Sequence, residues 1–97
     1  MIRYVRMSFK PSEVSNFLSV FSQYKDQIRA VSGCQYVALQ QDLDHPHIWM
    51  THSVWDSPGH LEAYRKSALF QEVWGKTKPL FLEPAVAFSV ENYLELT

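Results

Sequence analysis

The sequence predicts an α+β fold of ferredoxin-like order, β-α-β-β-α-β, with a four-stranded antiparallel sheet carrying both helices on one face. Three observations predict it. Residues 14–31 place apolar side chains at intervals of three and four, the signature of one long amphipathic helix. Two β-rich runs, 34–42 and 47–56, are separated only by the turn Asp44-His45-Pro46 and so form a hairpin. A further β-rich run stands at each end of the chain, at 2–9 and 85–94.

Taken in order, IRYVRMSF at 2–9 is rich in β-formers and reads as the first strand. Lys10-Pro11-Ser12 ends it, and Ser12 is the expected N-cap of the first helix. That helix runs about five turns, with Val14, Phe17, Leu18, Phe21, Tyr24, Ile28 and Val31 on one face and Gly33 at its C-cap. CQYVALQQD at 34–42 and HIWMTHSVWD at 47–56 are the second and third strands. Ser57-Pro58 starts a second helical stretch, with an N-cap followed by Pro at the first helical position. Leu61 and Tyr64 point inward from it. The stretch breaks near Ser67 and restarts with Leu69, Phe70, Val73, Trp74 and Thr77 in register. Pro79 and Pro84 bracket an expected loop, PLFLEP, before the fourth strand at 85–94.

The strands are apolar on both parities: in the third, Ile48, Met50 and Val54 alternate with Trp49 and Trp55. A sheet with two apolar faces needs cover on both, and the helices supply one. The expectation is a homodimer built sheet to sheet. Composition agrees, since 46% hydrophobic and 14% aromatic content is a heavy apolar load for 97 residues.

The same figures exclude several classes. Nine basic residues against ten acidic ones leave a net charge of −1 with no basic run, which argues against nucleic acid. The chain is expected to be one domain over 1–97, because a second core would need about 50 more residues. Cys34 is the only cysteine, so an internal disulfide is impossible, which suits a reducing cytoplasm. MIRYVRMSFK is broken by Arg3, Arg6 and Lys10, and no run approaches the roughly 18 apolar residues of a membrane span.

Chemistry-bearing motifs are few. His45, His47, His52 and His60 fall on a turn, a strand and a first helical turn, and lack the convergent partners of a zinc site, so no metal is expected. Cys34 has no base or cation in its sequence neighbourhood and reads as a small packed residue. There is no G-x-S-x-G elbow, and Gly33, Gly59 and Gly75 are too dispersed for a phosphate loop. An aromatic group remains. Thr51, Ser53 and Trp55 share one strand parity, Tyr64 follows, and Phe70 and Trp74 stand four apart on one helical face. If that face looks back at the sheet, Trp55, Tyr64, Phe70 and Trp74 line either a slot for a flat ligand or ordinary core.

The segment Ser53-Val54-Trp55-Asp56-Ser57, continuing through Leu61 to Ser67-Ala68-Leu69-Phe70, resembles the W-x-S … S-x-x-F stretch of the antibiotic-biosynthesis monooxygenase domain. Gly33-Cys34 and Asp42-Leu43-Asp44 resemble that family as well, and the likeness spans the chain in order and length. It implies a dimeric α+β barrel with a pocket between sheet and helices. It also implies oxygenation of a small phenol, quinol or other aromatic without cofactor, metal or flavin. Trp55 matches the family's pocket tryptophan, and with the strand parity and the aromatic group the expected site is Trp55 and Tyr64 as catalytic, and Thr51, Ser53, Phe70 and Trp74 as substrate-binding. Many members of the family carry a His where this chain has Tyr64. In the haem-degrading branch the axial His falls at the position of Trp74, which cannot ligate iron, and the first strand lacks the Asn found beside the haem. Haem degradation is therefore not implied. An alternative on the same fold is a non-catalytic module that binds an aromatic metabolite.

Overall fold

A computed structural model describes all residues, 1–97. The elements are β1 (Ile2–Phe9), α1 (Val14–Arg29), β2 (Cys34–Gln41), β3 (Ile48–Trp55), α2 (Pro58–Arg65), α3 (Ala68–Thr77) and β4 (Phe81–Val90). One-turn 3₁₀ helices, Pro11–Glu13 and Lys78–Leu80, precede α1 and β4. The sheet order is β2-β3-β1-β4, with every neighbouring pair antiparallel. This is the expected α+β ferredoxin-like fold, in which β3 inserts between the two strands that α1 connects.

Several local expectations hold through identifiable contacts. Ser57 caps α2, its hydroxyl accepting from the His60 N–H at 3.2 Å, with Pro58 at the first helical position. Ser67 both ends one helix and starts the next. Its hydroxyl donates to the Tyr64 carbonyl at 2.6 Å and accepts from the Phe70 N–H at 3.1 Å.

Three boundaries differ. Ser12 is not a cap: Pro11 seats it in the 3₁₀ turn, and α1 begins behind Glu13, whose side chain makes no capping bond. Gly33 lies beyond the helix end, which is capped at Ala30, and serves the turn into β2 with φ +85°. PLFLEP is not a loop: the strand starts at Phe81, includes Pro84 and ends at Val90 rather than 94. Pro is tolerated there because β4 is an edge strand. The register against β1 shifts at Arg6/Ser8 and again at Ser8/Phe9, so the extra β4 residues around Pro84 bulge out of the ladder.

Alternation divides the sheet cleanly. Odd positions of β1 and β3 face the helices, and even positions face away. The covered face is packed tightly at its two ends. At one end Met7, Phe9 and Phe17 form a buried cluster in which Phe9 and Phe17 stack at 4.1 Å. At the other, Cys34, Trp55 and Leu61 form a second. Leu18, expected on the buried face of α1, is instead exposed. The uncovered face is apolar and exposed: Tyr36, Val86 and Phe88 retain 46%, 54% and 43% of their accessible surface. His52 lies there between Tyr4 and Tyr36, with ring centroids 4.8 and 5.1 Å away.

Gly33 is required twice over. Its positive φ disfavours a side chain, and a Cβ would overlap the His60 ring. Gly33→Ala should therefore lower stability by about 1–3 kcal/mol in urea unfolding. Adding His60→Ala should recover only the ring's share of the steric cost, because the Cβ at position 60 also overlaps, and none of the backbone part, which a double-mutant cycle would resolve.

Candidate active site

Between the two buried clusters the helices stand away from the sheet. The floor there is built from short side chains, Val5 on β1, Thr51 and Ser53 on β3 and Ala87 on β4, which leave the space unfilled. The roof is Val20 and Phe21 of α1 with Phe70, Val73 and Trp74 of α3. The cavity, partly open to solvent, measures about 290 Å³, and 14 of its 19 lining residues are hydrophobic. Since a dry cavity of roughly 150 Å³ holds benzene, this one is on the scale of a two-ring aromatic.

All six residues singled out by sequence, Thr51, Ser53, Trp55, Tyr64, Phe70 and Trp74, line this one cavity. The four aromatic ones form a continuous series rather than opposed walls. Trp55 and Tyr64 stack at 5.3 Å and 23°, Tyr64 meets Phe70 edge-on at 5.3 Å, and Phe70 stacks on Trp74 at 5.9 Å and 10°. Trp74 then meets Phe81 at 5.5 Å. Trp55 is only 2% exposed, so it belongs both to the core and to the cavity wall.

Trp55 is held from several directions. Its backbone exchanges hydrogen bonds with Met1, the Trp55 N–H donating to the Met1 carbonyl at 2.9 Å and the Met1 amino group to the Trp55 carbonyl at 2.8 Å. Its indole Nε1–H donates to Ser53 Oγ at 2.9 Å. Ser53 thereby acts as acceptor and keeps its own hydrogen for a further partner in the cavity.

Tyr64 is a donor, not a base. Burial, with a smaller contribution from nearby Cys34, pushes its hydroxyl up to about 12. Burial likewise raises the Cys34 thiol, so at neutral pH the sulfur is a packed thiol. No Asp, Glu or His side chain lines the cavity. No three His, Cys, Asp or Glu side chains converge anywhere in the fold.

Sequence reasoning missed the α1 wall at Val20 and the two cations of the site, Arg3 and Arg65. Both cations were within reach of the pattern. Arg3 shares strand parity with Val5 and the buried Met7, and Arg65 stands four residues after the buried Leu61 on α2.

Comparison with known proteins completes the description. The sequence profile described as antibiotic biosynthesis monooxygenase matches residues 1–74. No curated protein matches the chain in sequence. Among solved structures, the chain is similar to a conserved protein from Methanosarcina mazei, at 22% identity over 90% of this chain and 87% of that one, with a TM-score of 0.84. It is also similar to Rv0793 from Mycobacterium tuberculosis, at 17% identity, 99% and 97% coverage and a TM-score of 0.88. A candidate antibiotic biosynthesis monooxygenase from Nitrosomonas europaea aligns at 14% identity, 96% and 98% coverage and a TM-score of 0.87. At these identities the likeness is one of fold.

The Tyr64 environment carries a pH signature. Below about pH 10 the hydroxyl is protonated in both folded and unfolded chains. Between there and its raised folded value, only the unfolded chain loses the proton, so stability falls as pH rises through this window. Tyr64→Phe should remove up to one proton from that dependence, measured by urea unfolding at about pH 9 and about pH 11. Ser53→Ala, which strands the buried Trp55 Nε1–H, should cost about 1–3 kcal/mol in the same assay.

Proposed function

The chain belongs to the antibiotic biosynthesis monooxygenase family, and from that premise we propose that it is a cofactor-independent monooxygenase of a small phenol or quinol bound in the cavity beside Trp55. The observation that carries the reading is a largely apolar cavity of two-ring size between sheet and helices, lined by the four aromatic residues. Trp55 supplies the platform, Phe70 and Trp74 the walls, and Tyr64, Thr51 and Ser53 the polar contacts. In such a reaction the ionised ring gives an electron to oxygen, and the radical pair combines at a ring carbon. The resulting hydroperoxide then loses water to leave a quinone carbonyl. One oxygen atom enters the product and the other leaves as water, so no external reductant is consumed. The protein contributes by holding the ring flat, keeping bulk water out and favouring the ionised substrate.

One observation favours a second reading, a non-catalytic module that binds an aromatic metabolite. The cavity wall has no residue able to take a proton near pH 7, and Tyr64 occupies the place where a base would serve. The two readings share a ligand and differ in turnover.

We further propose that the exposed sheet face, centred on Tyr36, Val86 and Phe88, is covered by a second copy of the chain. No helix of this chain packs there. Pairing face to face would bury the exposed apolar side chains of two identical sheets together.

Oxygen uptake with a panel of reduced naphthoquinols and small phenols should exceed the buffer rate for at least one substrate. No excess with any of them counts against catalysis and leaves the binding module. Tyr64→His, which places an imidazole at the cavity wall, should raise turnover about 10- to 100-fold if only a base is lacking. In sedimentation, the wild type should run at twice the mass of one chain and Phe88→Glu at the mass of one. A monomeric wild type would refute the sheet-face pairing.

A further inference from the structure

We propose that the cavity takes its aromatic ligand as an oxyanion, with the Arg3 guanidinium holding the charged oxygen beside Ser53. The inference rests on reading the cavity as an aromatic ligand site and adds the charge and chemical class of what it holds.

Arg3 and Arg65 are the only charged residues that line the cavity, and both are cations. Arg3 sits on β1, directly opposite Ser53 of β3 and Ser89 of β4. Its Nη1 donates to the exposed Ser89 Oγ at 3.1 Å, a neutral acceptor that solvates the charge without neutralising it. No carboxylate pairs with it. The ion pairs of the chain are His45–Asp42, Arg65–Glu62, Lys66–Glu62 and Lys76–Glu72. Glu62, the one carboxylate whose field reaches Arg3, is already shared between Arg65 at 3.4 Å and Lys66 at 3.7 Å. Burial first, and the Arg65 charge second, lower the Arg3 pKa from its usual value against the smaller opposing pull of Glu62. A guanidinium does not shed its proton in response, so Arg3 stands as a half-exposed cation without an acidic partner at the edge of an apolar cavity.

An anionic ligand supplies the partner that Arg3 lacks. Directly opposed residues on neighbouring antiparallel strands have Cβ atoms about 5 Å apart, so a guanidinium swung from Ser89 of β4 toward β3 can meet the Ser53 hydroxyl on one ligand oxygen. The free hydrogen of Ser53 is the second donor, and Ser53 is itself fixed by the Trp55 indole. The ring attached to that oxygen then lies against the aromatic series that begins at Trp55. A site without a general base gains from this arrangement, because it selects the ionised form of an acidic ligand instead of generating it. The oxyanion is a carboxylate or an ionised phenol, and Arg3 is specificity-determining for either.

The test is direct binding of matched probes, followed by tryptophan fluorescence. 2-Naphthoate should bind the wild-type protein at least about tenfold more tightly than neutral 2-naphthamide, a difference of about 1.4 kcal/mol. Arg3→Gln should erase the difference by weakening naphthoate alone, and Arg3→Lys should retain part of it. If Arg3→Gln does not fold, the wild type still decides. Raising salt from about 0.05 to about 0.5 M should weaken naphthoate and leave naphthamide unchanged. Equal wild-type affinities, an equal loss of both probes in folded Arg3→Gln, or binding of neither probe would overturn the proposal. A third probe, 2-naphthol, separates the two sources. Appearance of the naphtholate absorption band on binding at neutral pH assigns an ionised phenol, and its absence beside a naphthoate preference assigns a carboxylate. Charge selectivity without oxygen uptake sustains this inference and removes the oxygenase reading. Oxygen uptake without charge selectivity does the reverse.

Discussion

The structure depends on the way its helical layer is fixed to the sheet, tightly at both ends and loosely between. Met7, Phe9 and Phe17 clamp one end, and Cys34, Trp55 and Leu61 clamp the other. Because β1 and β3 run antiparallel, the two clamps sit at opposite ends of the same pair of strands. The sheet positions between them carry Val5, Thr51, Ser53 and Ala87, too short to reach the helices. They leave a space of about 290 Å³ between the layers, partly open to solvent and bordered by both.

Trp55 links that mechanical arrangement to the site. It closes one clamp, joins β3 to the start of β1 through paired backbone bonds, and presents its ring to the cavity. The Ser53 hydroxyl that fixes the indole is also a polar point on the cavity floor. Positioning and recognition are thus carried by the same few atoms. The chemical character of the space follows from what borders it: aromatic rings, a tyrosine held in its neutral form, two cations, and no carboxylate or imidazole. Such a space can orient and retain a flat acidic molecule, while proton removal has to come from elsewhere.

Much of this was legible in the sequence for physical reasons. The spacing of Phe17, Tyr24 and Ile28 reports the face of α1 directly, and these three are its buried residues. Strand parity placed Thr51, Ser53 and Trp55 together, and the four-residue interval placed Phe70 with Trp74. What escaped was context. Pro84 looked like a strand breaker because an isolated sequence does not reveal that β4 is an edge. Ser12 looked like a cap because a 3₁₀ turn and an α-helix N-terminus share the same Pro-Ser signature. Arg3 counted only as a break in the N-terminal apolar run, although its parity with Met7 put it on the covered face. Whether the aromatic residues enclose a space or fill one depends on how far the layers stand apart, which periodicity does not encode.

The central claim is that the space between the clamps is a binding site for a flat acidic aromatic beside Trp55. A crystal structure of the protein grown with a hydroxynaphthoquinone, which is planar, acidic and inert to oxygen, tests it most directly. The account predicts ring density between the β3 face and the Phe70–Trp74 pair, with the ionised oxygen within hydrogen-bond distance of Arg3 and Ser53. Density for the ring elsewhere, or Phe21, Phe70 and Trp74 collapsed into the space with no ring present, would contradict it.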